Sequence, residues 1–165
     1  MWKYFLALSL IATLAPNVTH ADKKAAMKAA TPPPATPVLK FEAQLNKLDS
    51  KVTALLGEEK QKVIRQAAEA AVLSDFCVAI DLDQNKFKEE FAKLSADGIK
   101  RTLAEQRDLE NKVAMNFGVY VGLFVAEGSD RKGEFCLVAE NALKDQKPIS
   151  RFWIATNNSP NPPKP

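Results

Sequence analysis

A chain of 165 residues with 23 basic and 20 acidic side chains carries a formal charge of +3. So even a balance sets up no strong field, and it gives neither nucleic acid nor a membrane surface more to hold than Lys23, Lys24 and Lys28. With a single histidine and two cysteines, imidazole chemistry and multi-cysteine metal sites have almost nothing to draw on.

The N-terminus reads as an export signal. Lys3 is followed by the apolar run Tyr4–Ala15, the helix breaker Pro16, and small residues Thr19 and Ala21 near a cleavage point after Ala21. A short basic region, a short apolar region and a small-residue site are what a signal peptidase reads. The run is too short to span a bilayer, which takes roughly 20 apolar residues. The expected segments are a signal peptide at 1–21, a flexible Ala/Lys/Pro-rich arm at 22–37, a folded domain at 38–155 and a Pro/Asn-rich tail at 156–165. The expected location is the periplasm or the exterior, with no stable membrane insertion after processing.

Processing would change the available chemistry. Removing 21 of 165 residues leaves 144, takes away Lys3 so that the charge falls to +2, and takes away His20, the only histidine. Cys77 and Cys136 remain, and in an oxidising compartment an even pair is most simply a disulfide. Neither belongs to a C-x-x-C arrangement.

In the arm, Thr31-Pro-Pro-Pro-Ala-Thr-Pro37 cannot continue a helix. Phe41, Leu45, Leu48, Val52 and Leu55 then recur at spacings of four and three, which predicts an amphipathic helix. Gly57 ends or loosens it. A second helix is expected from Glu58 to about Ile80, rich in alanines that allow close helix contact. Asp81-Leu-Asp-Gln-Asn85 interrupts the pattern; Phe87, Phe91 and Leu94 restore it; Ser95-Ala-Asp-Gly98 is a turn. Ile99 to Phe124 fits one long helix, but Phe117–Val125 alternates and is β-branched enough to fit a strand equally well. Glu134–Lys144 is a further helix, and Lys147–Ile154 an apolar return over the core. The fold expected is all-α, a small helical bundle stapled by one disulfide. The alternative is α+β, in which Phe117–Val125, Phe135–Ala139 and Arg151–Ala155 form a small antiparallel meander after the N-terminal helices.

Candidate sites are few. Asp81-x-Asp83-x-Asn85 begins like a calcium loop, but the bend position holds Lys86 instead of glycine and the twelfth holds Ala92 instead of glutamate. A polar turn capping the next helix is the better reading. Glu89, Glu90, Glu105, Asp108 and Glu110 lie on lysine- and arginine-rich faces, where nothing raises a carboxyl pKa for acid catalysis. Asp75 alone sits beside an apolar run. No catalytic, cofactor-binding or metal-binding residues are therefore assigned, no cofactor is expected, and the protein is read as not an enzyme. Gly118 and Gly122, flanking Tyr120, form a G-x-x-x-G pair read as helix packing. Arg151, Phe152 and Trp153 are residue types that partner-binding patches favour, although two rings closing the core explain Phe152 and Trp153 as well.

The segment Met115–Ala126, followed by Gly133-Glu-Phe-Cys-Leu137, resembles the small helical immunity proteins of type VI secretion systems. Gly118, Tyr120 and Gly122 match that family's glycine–aromatic–glycine segment, and Cys136 its later cysteine. The family's first cysteine stands just before that segment, where this chain has Met115 and Asn116, so Cys77 would serve from a different helix. The resemblance implies a periplasmic, disulfide-linked protein that blocks a toxin attacking the cell wall. The expected function is thus a non-enzymatic envelope binding protein with another protein as its partner. A periplasmic chaperone or stress protein, and an envelope structural or assembly factor, are the alternatives.

Overall fold

The computed structural model describes residues 39–156; the expected signal peptide, the arm and all but the first residue of the tail lie outside them. Within that range the chain is a bundle of five helices with a two-stranded antiparallel sheet. The elements are α1 (Glu42–Leu56), α2 (Glu58–Phe76), β1 (Ile80–Leu82), α3 (Gln84–Ser95), α4 (Leu103–Gly128) and α5 (Lys132–Lys144). A 3-10 turn (Pro148–Phe152) then leads into β2 (Trp153–Ala155).

Three boundaries have a local cause. Gly57 joins α1 to α2 at φ +85°, a left-handed conformation that only glycine adopts without strain. The Asp83 side chain accepts from the N–H groups of Asn85 and Lys86 and so caps α3. Thr102 and Glu105 form a capping box at the start of α4, each side chain meeting the other's backbone N–H. The long helix therefore begins at Leu103 rather than Ile99.

The core is built around α2, which packs against α1, α3, α4, α5, β1 and the 3-10 turn. Its buried alanines, Ala67, Ala68 and Ala70, let so many neighbours come close. On one side Leu45, Leu48, Val52, Ile64, Val113 and Phe124 form an apolar cluster among α1, α2 and α4. On the other, Leu73, Ile80, Phe135, Phe152 and Trp153 form a second among α2, α5 and the sheet. Phe87, Phe91 and Phe117 bridge the two, with ring centroids 5.2–5.8 Å apart.

The helical bundle with its disulfide is the fold expected, and the meander is not formed. Phe117–Val125 lies inside α4 and Phe135–Ala139 inside α5. At helical spacing Val113, Tyr120 and Phe124 all reach the core, and that burial outweighs the β-propensity of the valines between them. One correction runs the other way. The second helix stops at Phe76, and Ile80–Leu82 forms a strand paired with Trp153–Ala155, Ile80 opposite Ala155 and Leu82 opposite Trp153. A partner 71–75 residues away leaves no trace in local periodicity. The Trp153 indole also donates to the Ala70 carbonyl, at 3.0 Å, and fixes β2 to α2.

Candidate functional site

α4 carries no charged side chain from Val113 to Ala126. Its inner face supplies Val113, Asn116, Tyr120 and Phe124 to the interior. The opposite face leaves Ala114, Met115, Gly118, Val119, Gly122, Val125 and Ala126 exposed. Met115 is 62% accessible, Val119 47% and Val125 41%, so the face is apolar and uncovered among the described residues. A Cβ built on Gly118 or Gly122 would meet nothing within 4 Å. Among the described residues, no other helix packs into the room these glycines leave.

A buried polar network holds this helix in rotation. Tyr120 is fully buried, and its hydroxyl donates to Asp49 Oδ1 at 2.7 Å. Gln61 Nε2 donates to the same Asp49 oxygen at 2.5 Å and to the Tyr120 hydroxyl at 3.2 Å. Arg65 pairs with the other Asp49 oxygen. Burial pushes the Tyr120 phenol above the ordinary tyrosine range; the Gln61 bond opposes that shift, and the bond to the Asp49 carboxylate adds to it. The phenol stays protonated and serves as a donor. With Tyr120 fixed inward, Gly118 and Gly122 are fixed outward.

At the C-terminal end of α4, Glu127 is wholly buried. Its two oxygens accept from the backbone N–H groups of Lys40 and Phe41 at 2.8 and 2.9 Å, and Arg131 pairs with it at 3.1 Å. The carboxylate therefore satisfies the start of α1, which has no side-chain cap of its own. Glu127 is not among the residues that the sequence pattern marked as candidates. The signal available was a lone acid ending an uncharged run, four residues before an arginine.

The sulfurs of Cys77 and Cys136 are 2.04 Å apart, tying the end of α2 to α5. Beside them lies an open groove of about 570 Å³, walled by residues 76–80 and by α5. Phe152 and Trp153 are 0% and 6% exposed, which places both rings in the core. Arg151 lies over the Phe152 ring, 4.6 Å from its centroid, and donates to the Pro148 carbonyl. The structure thus brings Gly118 and Gly122 to one open face and Tyr120 beneath it, and sets Arg151 at the opposite apolar cluster.

Among the described residues no three His, Cys, Asp or Glu side chains are grouped to hold a metal ion. No helix there is long and apolar enough to cross a membrane. No family model matches the chain, nor does any curated protein or solved structure.

Proposed function

We propose that this chain is a non-enzymatic protein of the bacterial envelope or exterior that acts by binding another protein through the outer face of α4. Its sharpest form is an immunity-type inhibitor of a secreted toxin. The observation that carries the reading is the pair of open glycines. Each interior helix glycine costs roughly 0.5–1 kcal/mol relative to alanine, and nothing within the described residues offsets that at Gly118 or Gly122. A partner backbone pressed against α4 would offset it, because the absence of a Cβ lets the two backbones close to van der Waals contact. Met115, Val119 and Val125 flank the glycines and supply the apolar area that an interface core needs.

The test is a pull-down from envelope extract with wild-type protein and with Gly122→Leu as baits. A Cβ at this helical position meets no described atom within 4 Å, and an unchanged circular dichroism melt of the variant shows that loss of a partner reports on the face itself. One stoichiometric enzyme captured by the wild type and lost by the variant supports an inhibitor. Many unfolded clients, kept by the variant, would favour a chaperone. A partner held equally by both would remove the α4 face from the mechanism and favour an assembly factor acting through another surface.

A further inference from the structure

The groove beside the disulfide is a second surface, on α5 and away from the exposed face of α4. Phe76, Val78, Ile80 and Leu143 give it an apolar lining, with Lys132, Glu140 and Lys144 as its charged groups. Val78 is 80% exposed at its edge. We propose that this groove binds an extended peptide segment of another protein, apolar along its length and acidic at the end that meets Lys132.

Charge selects the occupant. The Lys132 ammonium lies over the Phe76 ring, 4.8 Å from the centroid, and no ion pair joins it to a carboxylate of the described residues. The two acids that flank it in sequence are engaged elsewhere, Asp130 by Lys40 and Glu134 by Arg131. Lys132 is also the first residue of α5, where unpaired helix N–H groups add positive potential. At the far end Glu140 stands one helical turn before Lys144, so those charges balance, and the net positive end is that of Lys132.

This chain's own outlying segments have the wrong sign. Residues 22–38 carry Lys23, Lys24 and Lys28 against Asp22 alone, and residues 157–165 carry only Lys164. A second copy docked groove to groove would set two net positive linings against each other. An external acidic segment meets neither penalty. An extended strand advances about 3.3 Å per residue, so five residues extend about 16 Å along the roughly 18 Å rise of α5 from Lys132 to Lys144.

Titration calorimetry of the purified full chain with blocked Asp-Val-Leu-Val-Leu tests this, with Lys-Val-Leu-Val-Leu and decanoate as comparisons. The acidic peptide is expected to bind at least tenfold more tightly than the lysine peptide. Lys132→Glu should reverse that preference, and Val78→Asp should abolish binding. Both side chains are exposed, and unchanged circular dichroism melts confirm that the variants fold. Equal binding of both peptides, an unaltered preference in Lys132→Glu, or no heat at millimolar peptide would each overturn the proposal. Full competition by decanoate would do so too, marking the groove as a site for fatty amphiphiles. Gly122→Leu should bind the peptide like wild type, so failure here and failure of the α4 reading are separable.

Discussion

Tyr120 and Glu127 show how much of this bundle rests on single polar side chains. Tyr120→Phe deletes a donor to Asp49 and an acceptor for Gln61 while leaving the packing intact. It should lower stability by about 1–2 kcal/mol, the net cost of lost hydrogen bonds in a buried network. Glu127→Gln is the more damaging change. Two backbone N–H groups and Arg131 all donate to the carboxylate, and a carboxamide must turn its own NH2 toward one of those donors. The expected loss is about 1–3 kcal/mol. Urea denaturation at constant slope measures both. Glu69 carries a pH prediction. Burial raises its carboxyl above the ordinary range, outweighing the opposing pull of Arg65. The folded state therefore binds this proton more tightly than the unfolded one. Stability from this group is highest below the unfolded value of about 4.3 and declines as pH rises through the raised value. Glu69→Gln should be more stable than wild type at pH 7, and that gain should vanish by pH 4. Paired denaturation curves at the two pH values check it. Beyond the lone acid at Glu127, none of these roles was legible in the sequence. The four members of the network come from three helices, and their meeting depends on helix rotations that no local pattern encodes.

At the scale of elements, α4 offers one substitution with two opposite outcomes. Gly118→Ala and Gly122→Ala meet open space and should each stabilise the free protein by about 0.5–1 kcal/mol. Gly128→Ala places a Cβ 2.8 Å from the Phe76 ring and should destabilise by about 1–3 kcal/mol, as overpacking does. Thermal melts of the three variants decide it. Glycine spacing was visible in the sequence, but which glycines are open was not. That distinction depends on Tyr120 pointing inward and on Phe76 arriving from α2. The stripe from Phe41 to Leu55 was fully readable because one face of α1 alone explains it. Phe117–Val125 was not, since valines and aromatics at these positions satisfy a strand or a helix. Only the burial of Phe124 and Tyr120 against α1 and α2 decides between them. The short sheet was out of reach for a further reason: β1 takes its partner from the far end of the domain.

At the scale of the whole molecule, the Cys77–Cys136 bond closes a loop of 59 residues and restrains the unfolded chain by about 4 kcal/mol in the chain-entropy model. That is a large part of the roughly 5–15 kcal/mol available to a domain this size. A Cys77→Ala/Cys136→Ala variant should lose about that amount in urea. The loss should not be uniform. The cluster among α1, α2 and α4 contains neither cysteine, whereas Cys77 belongs to the one that α5 and the sheet share with α2. Hydrogen exchange should therefore accelerate first in α5 and β2. Equal acceleration in α1 would show that the two clusters unfold as one.

The Glu127 clamp has a mechanical consequence. Leu39, the first described residue, packs against both apolar clusters, and the next groups to resist a pull from that side are the two backbone N–H groups held by Glu127. Tension applied through the preceding residues would pass into the C-terminal end of α4, a 26-residue helix about 39 Å long, before it could peel α1 away. In a protein tethered by that end, the carboxylate would carry this tension into α4, and Glu127→Gln should lower the unfolding force in single-molecule pulling from the N-terminus more than in pulling from the C-terminus.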